Sequence, residues 1–333
     1  GAEAIDLTVL KGKKLINLDS EEEKTLTVGC AGGVRYQGLI PVEKETASGD
    51  EIKITIQGLL GGHSGEEIHR QRGNANKMMA RLLYHIAEEK SYRLSEIYGG
   101  SKDNVIAMEA HASLVAAPED TEQILAMIRN MEDIWNAEFM GEEPGLTVKT
   151  ETEKNTDTVV FSKDTTQKVV GYLKASPNGL KEYSRKVAGA TETSLNLGIL
   201  ELKEDALTSL TSIRSSVKTR KEDLCARVTM LVEMLGGEAE VEGDYPAWEY
   251  RTDSALRPQV EKVYEELFHK KPVFSTIHAG LECGLLSEKI PDLDCVSFGP
   301  DNFDIHTPKE HLSISSTARV WDFLVAFLQQ ANV

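Results

Sequence analysis

The chain has 333 residues, enough for about two ordinary domains, and 40% of them are hydrophobic, enough to bury a sizeable core. Thirty-seven Lys and Arg against 54 Asp and Glu give a net charge of −17, which repels phosphate backbones and anionic lipid and argues against nucleic-acid or membrane partners. No apolar run approaches the ~18 residues of a membrane span, and the first residues, GAEAIDLTVLKGKK, lack the pattern of a signal peptide. The cysteines Cys30, Cys225, Cys283 and Cys295 form no CxxC pair and read as free thiols of a reducing cytoplasm.

Residues 13–18, KKLINL, are a short apolar run ending at Asp19, which predicts a buried strand with a carboxylate at its C-terminal end. Residues 25–29 and 33–40 predict two more strands, split by the Gly32-Gly33 turn signal. The polar segment VEKETASGDE, residues 42–51, then reads as a domain junction. From residue 50, EIKITIQG alternates as a half-buried strand does. A helix follows over 74–89, then short strands at 105–108 and 112–116, a helix over 121–138 and a strand at 146–151. That order is βαββαβ. It recurs as a strand at 158–162, a helix at 165–174, strands at 191–203 and 206–217, a helix at 220–235 and a strand at 239–242. Two ferredoxin-like units side by side account for the repetition of order, although no residue-level repeat accompanies it. After DYPAWEYR, residues 244–251, helices at 254–269, 282–287 and 315–330 surround the strand DCVSFG. The fold class is therefore α/β: one domain from residues 1–41 and 246–333, interrupted by an inserted α+β domain over 42–245.

Asp19 stands where ligands bind in parallel α/β sheets, and its carboxylate suits a metal; Asp19-Ser20-Glu21-Glu22 equally resembles a helix start. His306 follows a buried strand, in a loop with Asp301 and Asp304. It reads as a metal ligand oriented by carboxylates or as a surface cap, and His311 as a cap or surface residue. In Gly61-Gly62-His63-Ser64-Gly65 the glycines permit close backbone approach to a ligand, and His63 suits donation to a developing oxyanion. The alternative is a plain turn with a solvent histidine. The segment is not a lipase-type elbow, because the GxSxG spacing is absent. Asn74 and Asn104 are polar candidates, Asn74 also as a helix cap. Arg214 sits in the apolar strand LTSLTSIRSSV and calls for a carboxylate from the protein or a ligand. Glu282 reads as a buried glutamate at a helix start, either near a site or serving the helix dipole. Cys283 beside it lacks a readable base, against a nucleophilic role.

Together, LINLDSEEE, GLLGGHSGEEIH, RGNANK, SLNLG, GDYPAW, IHAGLECG and FGPDNFDIHTPKEHLSI resemble the aminoacyl-histidine (Xaa-His) dipeptidases, carnosinase-like members of the di-zinc metallopeptidase superfamily. The resemblance runs along essentially the whole chain in the right order. It implies an αβα catalytic domain, residues 1–41 and 246–333, interrupted by a lid or dimerisation domain. It implies Asp19 and His306 as ligands of two zincs, with manganese or cobalt as other metals. It makes His63 the catalytic residue stabilising the transition state, and Asn104, Arg214 and Glu282 substrate-binding residues. Arg214 would take the C-terminal carboxylate of a small dipeptide such as β-alanyl-histidine. One departure is visible: Val105-Ile106-Ala107-Met108 stands where the family carries a proline.

The family's His-x-Asp motif, bridging Asp and Glu-Glu pair, which includes the general base, have no match here. The resemblance thus implies a C-terminal portion of the enzyme, inactive alone, with a homodimer through the lid as a possible assembly. The alternatives are a non-catalytic oligomerisation or peptide-binding module, and a related aminoacylase or tripeptidase.

Overall fold

The computed structural model describes residues 4–7, 10–203, 205–305 and 307–331. The chain opens with β1 (Lys14–Asn17), β2 (Thr25–Cys30), β3 (Gly32–Pro41) and β4 (Lys44–Gln57). It continues through α1 (Ala75–Glu89), β5 (Tyr92–Gly99), β6 (Ala110–Ala116), α2 (Thr121–Phe139) and β7 (Thr147–Phe161). Next come α3 (Lys163–Ala175), β8 (Gly179–Tyr183), β9 (Thr191–Lys203), β10 (Ala206–Ser215), α4 (Lys218–Met234) and β11 (Glu238–Tyr245). It closes with α5 (Leu256–Phe268), β12 (Val273–Ile277), α6 (Glu282–Lys289), β13 (Asp294–Ser297), β14 (Asn302–Phe303), β15 (His311–Leu312) and α7 (Ile314–Gln330).

Two sheets organise these elements, and the fold is mixed α/β as the sequence implies. The smaller has the order β1-β13-β2-β12, with β1 parallel to β13 and β12 parallel to β2. Alternation along β13 splits its side chains between two layers, and on β2 a register irregularity against β12 between Thr27 and Cys30 turns Cys30 to the face opposite Leu26. Leu26 and Val296 pack under α5 and α7 with Val260, Tyr264, Phe323 and Phe327. Cys30 and Cys295 face the other way, against Trp248 and Cys283.

The larger sheet has the order β11-β3-β10-β9-β5-β6-β4-β7, with β8 added beside β9. It contains two ferredoxin-like units. One is β4-α1-β5-β6-α2-β7, with strand order β7-β4-β6-β5. The other has order β11-β3-β10-β9, so its first strand is β3, which precedes the whole of the first unit. The units meet where Gly99 of β5 pairs with Leu200 of β9. The cores of both merge under α1–α4 into one cluster that includes Ile54, Leu83, Trp135, Phe161, Leu173 and Val232. No helix among the described residues is long and apolar enough to cross a membrane.

Three sequence expectations change. Residues 32–41 hydrogen-bond to β10 and β11, so the chain leaves the small sheet at Ala31 rather than after residue 41. The segment 42–51 is no junction: its polar residues form the solvent-facing end of β4, paired with the end of β7. The strand expected at 158–162 is that end of β7, and β5 lies at Tyr92–Gly99, ahead of the expected 105–108.

Both passages between the sheets run side by side. Cys30 N–H donates to Trp248 O at 2.9 Å, Trp248 N–H to Cys30 O at 3.1 Å, and Ala31 N–H to Ile277 O at 2.9 Å. At Gly32 a Cβ would lie 2.6–2.8 Å from backbone atoms of Tyr245, Pro246 and Ala247, which have no freedom to withdraw. Gly32→Ala is therefore expected to cost about 1–3 kcal/mol by overpacking. Gly171→Ala in α3, where a Cβ meets nothing within 4 Å, is expected to gain about 0.5–1 kcal/mol of helix propensity. Urea unfolding of the two variants checks both signs.

Candidate functional site

A cleft of about 780 Å³ lies between the halves. The small-sheet half lines it with Asp19–Glu22 and with the turn from Ser275 to Glu282; the large-sheet half adds Glu66, His69 and Thr191. Asp19 is exposed and follows β1, at the strand end that the sequence assigns it; its amide donates to Asn17 Oδ1 at 2.7 Å. Glu282 opens α6 and lines the same cleft, but it is exposed, not buried as expected, because its position faces the opening. His306 lies outside the described residues. His311 is an exposed residue of β15 stacked on Phe303; Ser313, not His311, caps α7.

His63 lies on the large-sheet side, in a loop held at many points. Buried Glu143 accepts from Leu60 N–H and Gly73 N–H, both at 2.8 Å, and so clamps both ends of the loop. Gly61 and Gly62 have φ of 64° and 130°, backbone that L side chains rarely adopt, which accounts for the glycine pair. His63 bridges Val105: Ile106 N–H donates to Gly62 O, and Ser64 N–H to Asn104 O, each at 2.9 Å. Asn104 is exposed and adjoins His63 through this bridge. Glu67 accepts from the His63 amide at 3.0 Å. Burial opposes its ionisation, but that amide, Arg72 and Arg70 outweigh burial and hold its carboxyl below the usual range.

His63 Nδ1 accepts from Glu66 N–H at 3.1 Å, which leaves the ring proton on Nε2 in the neutral form. Burial first, then the Arg214 charge, push its pKa down, against Glu66 and Glu67. The ring is thus a neutral donor.

Arg214 sits in register between Ser194 of β9 and Gly33 of β3, and Gly33 pairs in turn with Tyr245 of β11. Because Gly33 has no side chain, the Tyr245 ring lies across it, and Arg214 Nη1 donates to Tyr245 Oη at 2.8 Å. Ser194 Oγ meets His278 Nε2 at 2.7 Å, across to the small-sheet half. His278 is buried, and burial followed by Arg214 pushes its pKa down to about 3.

The sequence reading singled out neither His278 nor Ser194, Asn196 or Tyr245. Each lies in a segment it quoted, and the readable signal was polar side chains inside apolar strand or turn sequence. Asn196 Nδ2 donates to Asp103 O at 3.2 Å and Val105 O at 2.9 Å, and its Oδ1 accepts from Asn74 Nδ2 at 3.1 Å. Asn74 also caps α1 through Lys77 N–H, so its role is the structural one. Cys283 is buried beside Cys295, and their mutual hydrogen bond, then burial, raises its thiol, against a nucleophilic role.

Residues 54–142 match the peptidase dimerisation domain. The cytosol non-specific dipeptidase of Escherichia coli (strain K12) is 33% identical over 332 residues, covering 99% of this chain and 68% of the relative. The solved aminoacylhistidine dipeptidase of Vibrio alginolyticus has a TM-score of 0.92 at 34% identity, covering 99% of this chain and 67% of that one. The chain belongs to the M20 family of peptidases, hydrolases that act on peptide bonds, and its large sheet is that family's dimerisation or lid architecture.

Two outcomes follow. Asn196→Ala is expected to cost about 2 kcal/mol, because it strips a donor from two loop carbonyls. Hydrogen exchange at the Ser64 and Ile106 amides should speed up with it. The depressed His278 pKa also has a sign: the unfolded chain takes up this proton below about pH 6.5, the folded chain only near 3, so stability falls with pH between those values. By pH 5 that loss is about 2 kcal/mol. His278→Asn is expected to show correspondingly less loss than the parent chain in urea unfolding at pH 7 and pH 5.

Proposed function

We propose that this chain supplies the substrate-holding machinery of a cytoplasmic dipeptidase acting on Xaa-His dipeptides, with β-alanyl-histidine as the representative substrate. The observation that carries the reading is the state of His63: a braced, neutral imidazole with its proton on Nε2. Such a donor suits an oxyanion, because it stabilises developing charge without itself having to reorganise. Arg214 holds the peptide's C-terminal carboxylate, Asn104 its main chain, and Glu282 stands by at the mouth of the cleft. Closure of one half on the other brings these groups onto the scissile bond and excludes water. The match of residues 54–142 to a dimerisation domain supports a homodimer formed through the large sheet.

The resemblance implies zinc, with manganese or cobalt as substitutes. The described donors do not fit that group: among the described residues no set of three or more His, Cys, Asp or Glu side chains is placed to hold a metal. A catalytic zinc takes three protein ligands and a water, and Asp19 offers one carboxylate. The chain alone is expected to bind dipeptide without cleaving it.

The test is titration calorimetry of β-alanyl-histidine and a panel of other dipeptides and tripeptides, with zinc, manganese or cobalt present, while free histidine is followed. Binding of Xaa-His peptides without turnover is the expected result. Turnover near an ordinary enzymatic rate of ~10 s⁻¹ would overturn the inactivity. Tighter binding of tripeptides or acylated amino acids would overturn the substrate class.

A further inference from the structure

We infer that His278 is a second carboxylate donor, which together with Arg214 forms a two-pronged subsite for the C-terminus of the bound peptide. The inference rests on the reading of Arg214 given above and adds to it a residue from the other half of the molecule.

The geometry starts from strand register. Ser194 and Arg214 are direct partners across β9 and β10, so their side chains leave the same face of the sheet. On the far side of Arg214 the missing side chain of Gly33 admits the Tyr245 ring. The row Tyr245, Arg214, Ser194 therefore ends on His278, which belongs to the small-sheet half and lines the cleft.

Within this row two buried nitrogens make no hydrogen bond: Arg214 Nε and His278 Nδ1. Buried polar groups in folded proteins are almost always paired, so two orphans in one row mark a place where an outside partner completes the set. Arg214 Nε always carries a hydrogen. Ser194 Oγ lies 2.7 Å from His278 Nε2, and either group can be the donor. The subsite uses the tautomer in which Ser194 donates to Nε2 and the neutral ring holds its proton on Nδ1. The site thus offers two N–H donors, one charged and one neutral, and asks for an acceptor with more than one lone-pair oxygen. A carboxylate meets that demand, whereas a carboxamide offers one oxygen and brings two unwanted donors.

The placement also explains the crowding around His278. A Cβ on Gly65 would lie 2.5 Å from His278 O and 3.1 Å from the His63 ring. The turn that carries the oxyanion donor thus rests directly on the residue that would hold the carboxylate.

The experiment compares calorimetric binding of β-alanyl-histidine and its C-terminal amide to the full chain. The parent chain is expected to prefer the free carboxylate by about tenfold or more, the worth of a charge-assisted hydrogen bond. His278→Ala should lose about tenfold of that preference. His278→Asn, whose amide nitrogen falls near the position of Nδ1, should keep most of it, and Ser194→Ala should lie between. If His278→Ala keeps the full preference while Arg214→Ala loses it, the role of His278 is overturned and that of Arg214 stands. If Arg214→Ala also keeps it, the underlying reading falls, and a parent chain without preference overturns both. Should the alanine variant fail to fold, nitrogen NMR of histidine-labelled parent chain decides: the His278 Nδ1–H resonance must shift with the dipeptide and not with its amide.

Discussion

Both chain passages between the two halves run through a patch in which Cys30 and Trp248 exchange backbone hydrogen bonds. The outgoing and returning chains cross there together, so neither can move without the other. The patch tolerates little bulk. A Cβ on Gly29 would meet Trp248 O at 3.0 Å, and one on Gly284 would meet Pro246 O at 2.6 Å. The three buried cysteines fill the space behind Trp248 as small apolar side chains, with burial raising the Cys30 thiol. The candidate site depends on this joint, because Asp19 and Glu282 lie on one side of it and His63 and Arg214 on the other.

Beyond the joint, the site is held by polar side chains buried where apolar ones would pack more simply. Asn196, Asn74 and Glu143 each join a strand or helix to a loop, and each has its hydrogen-bonding groups engaged. Such a network specifies one arrangement, since a shifted loop would strand several polar groups at once. The His63 loop, whose positive-φ backbone glycine permits without strain, is held in that shape by these hydrogen bonds.

Much of this was legible in the sequence, and the failures have physical causes. Period-two and period-3.6 patterns place α1, α2 and β10 within a few residues, because a half-buried element must alternate. The doubled βαββαβ order is also visible. Its true first strand was not, because β3 joins its unit across about a hundred residues of inserted chain, and hydropathy carries no pairing information. β5 escaped notice because YRLSEIYG carries charges on its exposed face, while the apolar stretch after Asn104 is buried without being a strand. Asp19 stands at its strand end as expected. His278 was missed because a lone histidine in an apolar turn shows nothing of the Ser194 that contacts it from 84 residues away.

The overall charge of −17 and the local field at the cleft point in opposite directions, and the local field decides. Arg214 lies among His63, His278 and Tyr245, and it lowers the pKa of both histidines and that of the tyrosine, in the last case against a larger upward push from burial. Burial first, and Arg214 after it, keep both imidazoles neutral, so the full positive charge in this row belongs to Arg214. On the proposed reading, a carboxylate entering from solvent would cross a repulsive acidic surface and meet the half-buried Arg214 cation. An uncharged or cationic C-terminus gains nothing from the same journey. On the proposed reading, selectivity for a free carboxylate would come from contrast: a surface that discourages anions in general, and one half-buried arginine, with no carboxylate partner among the described residues, that rewards the anion able to reach it.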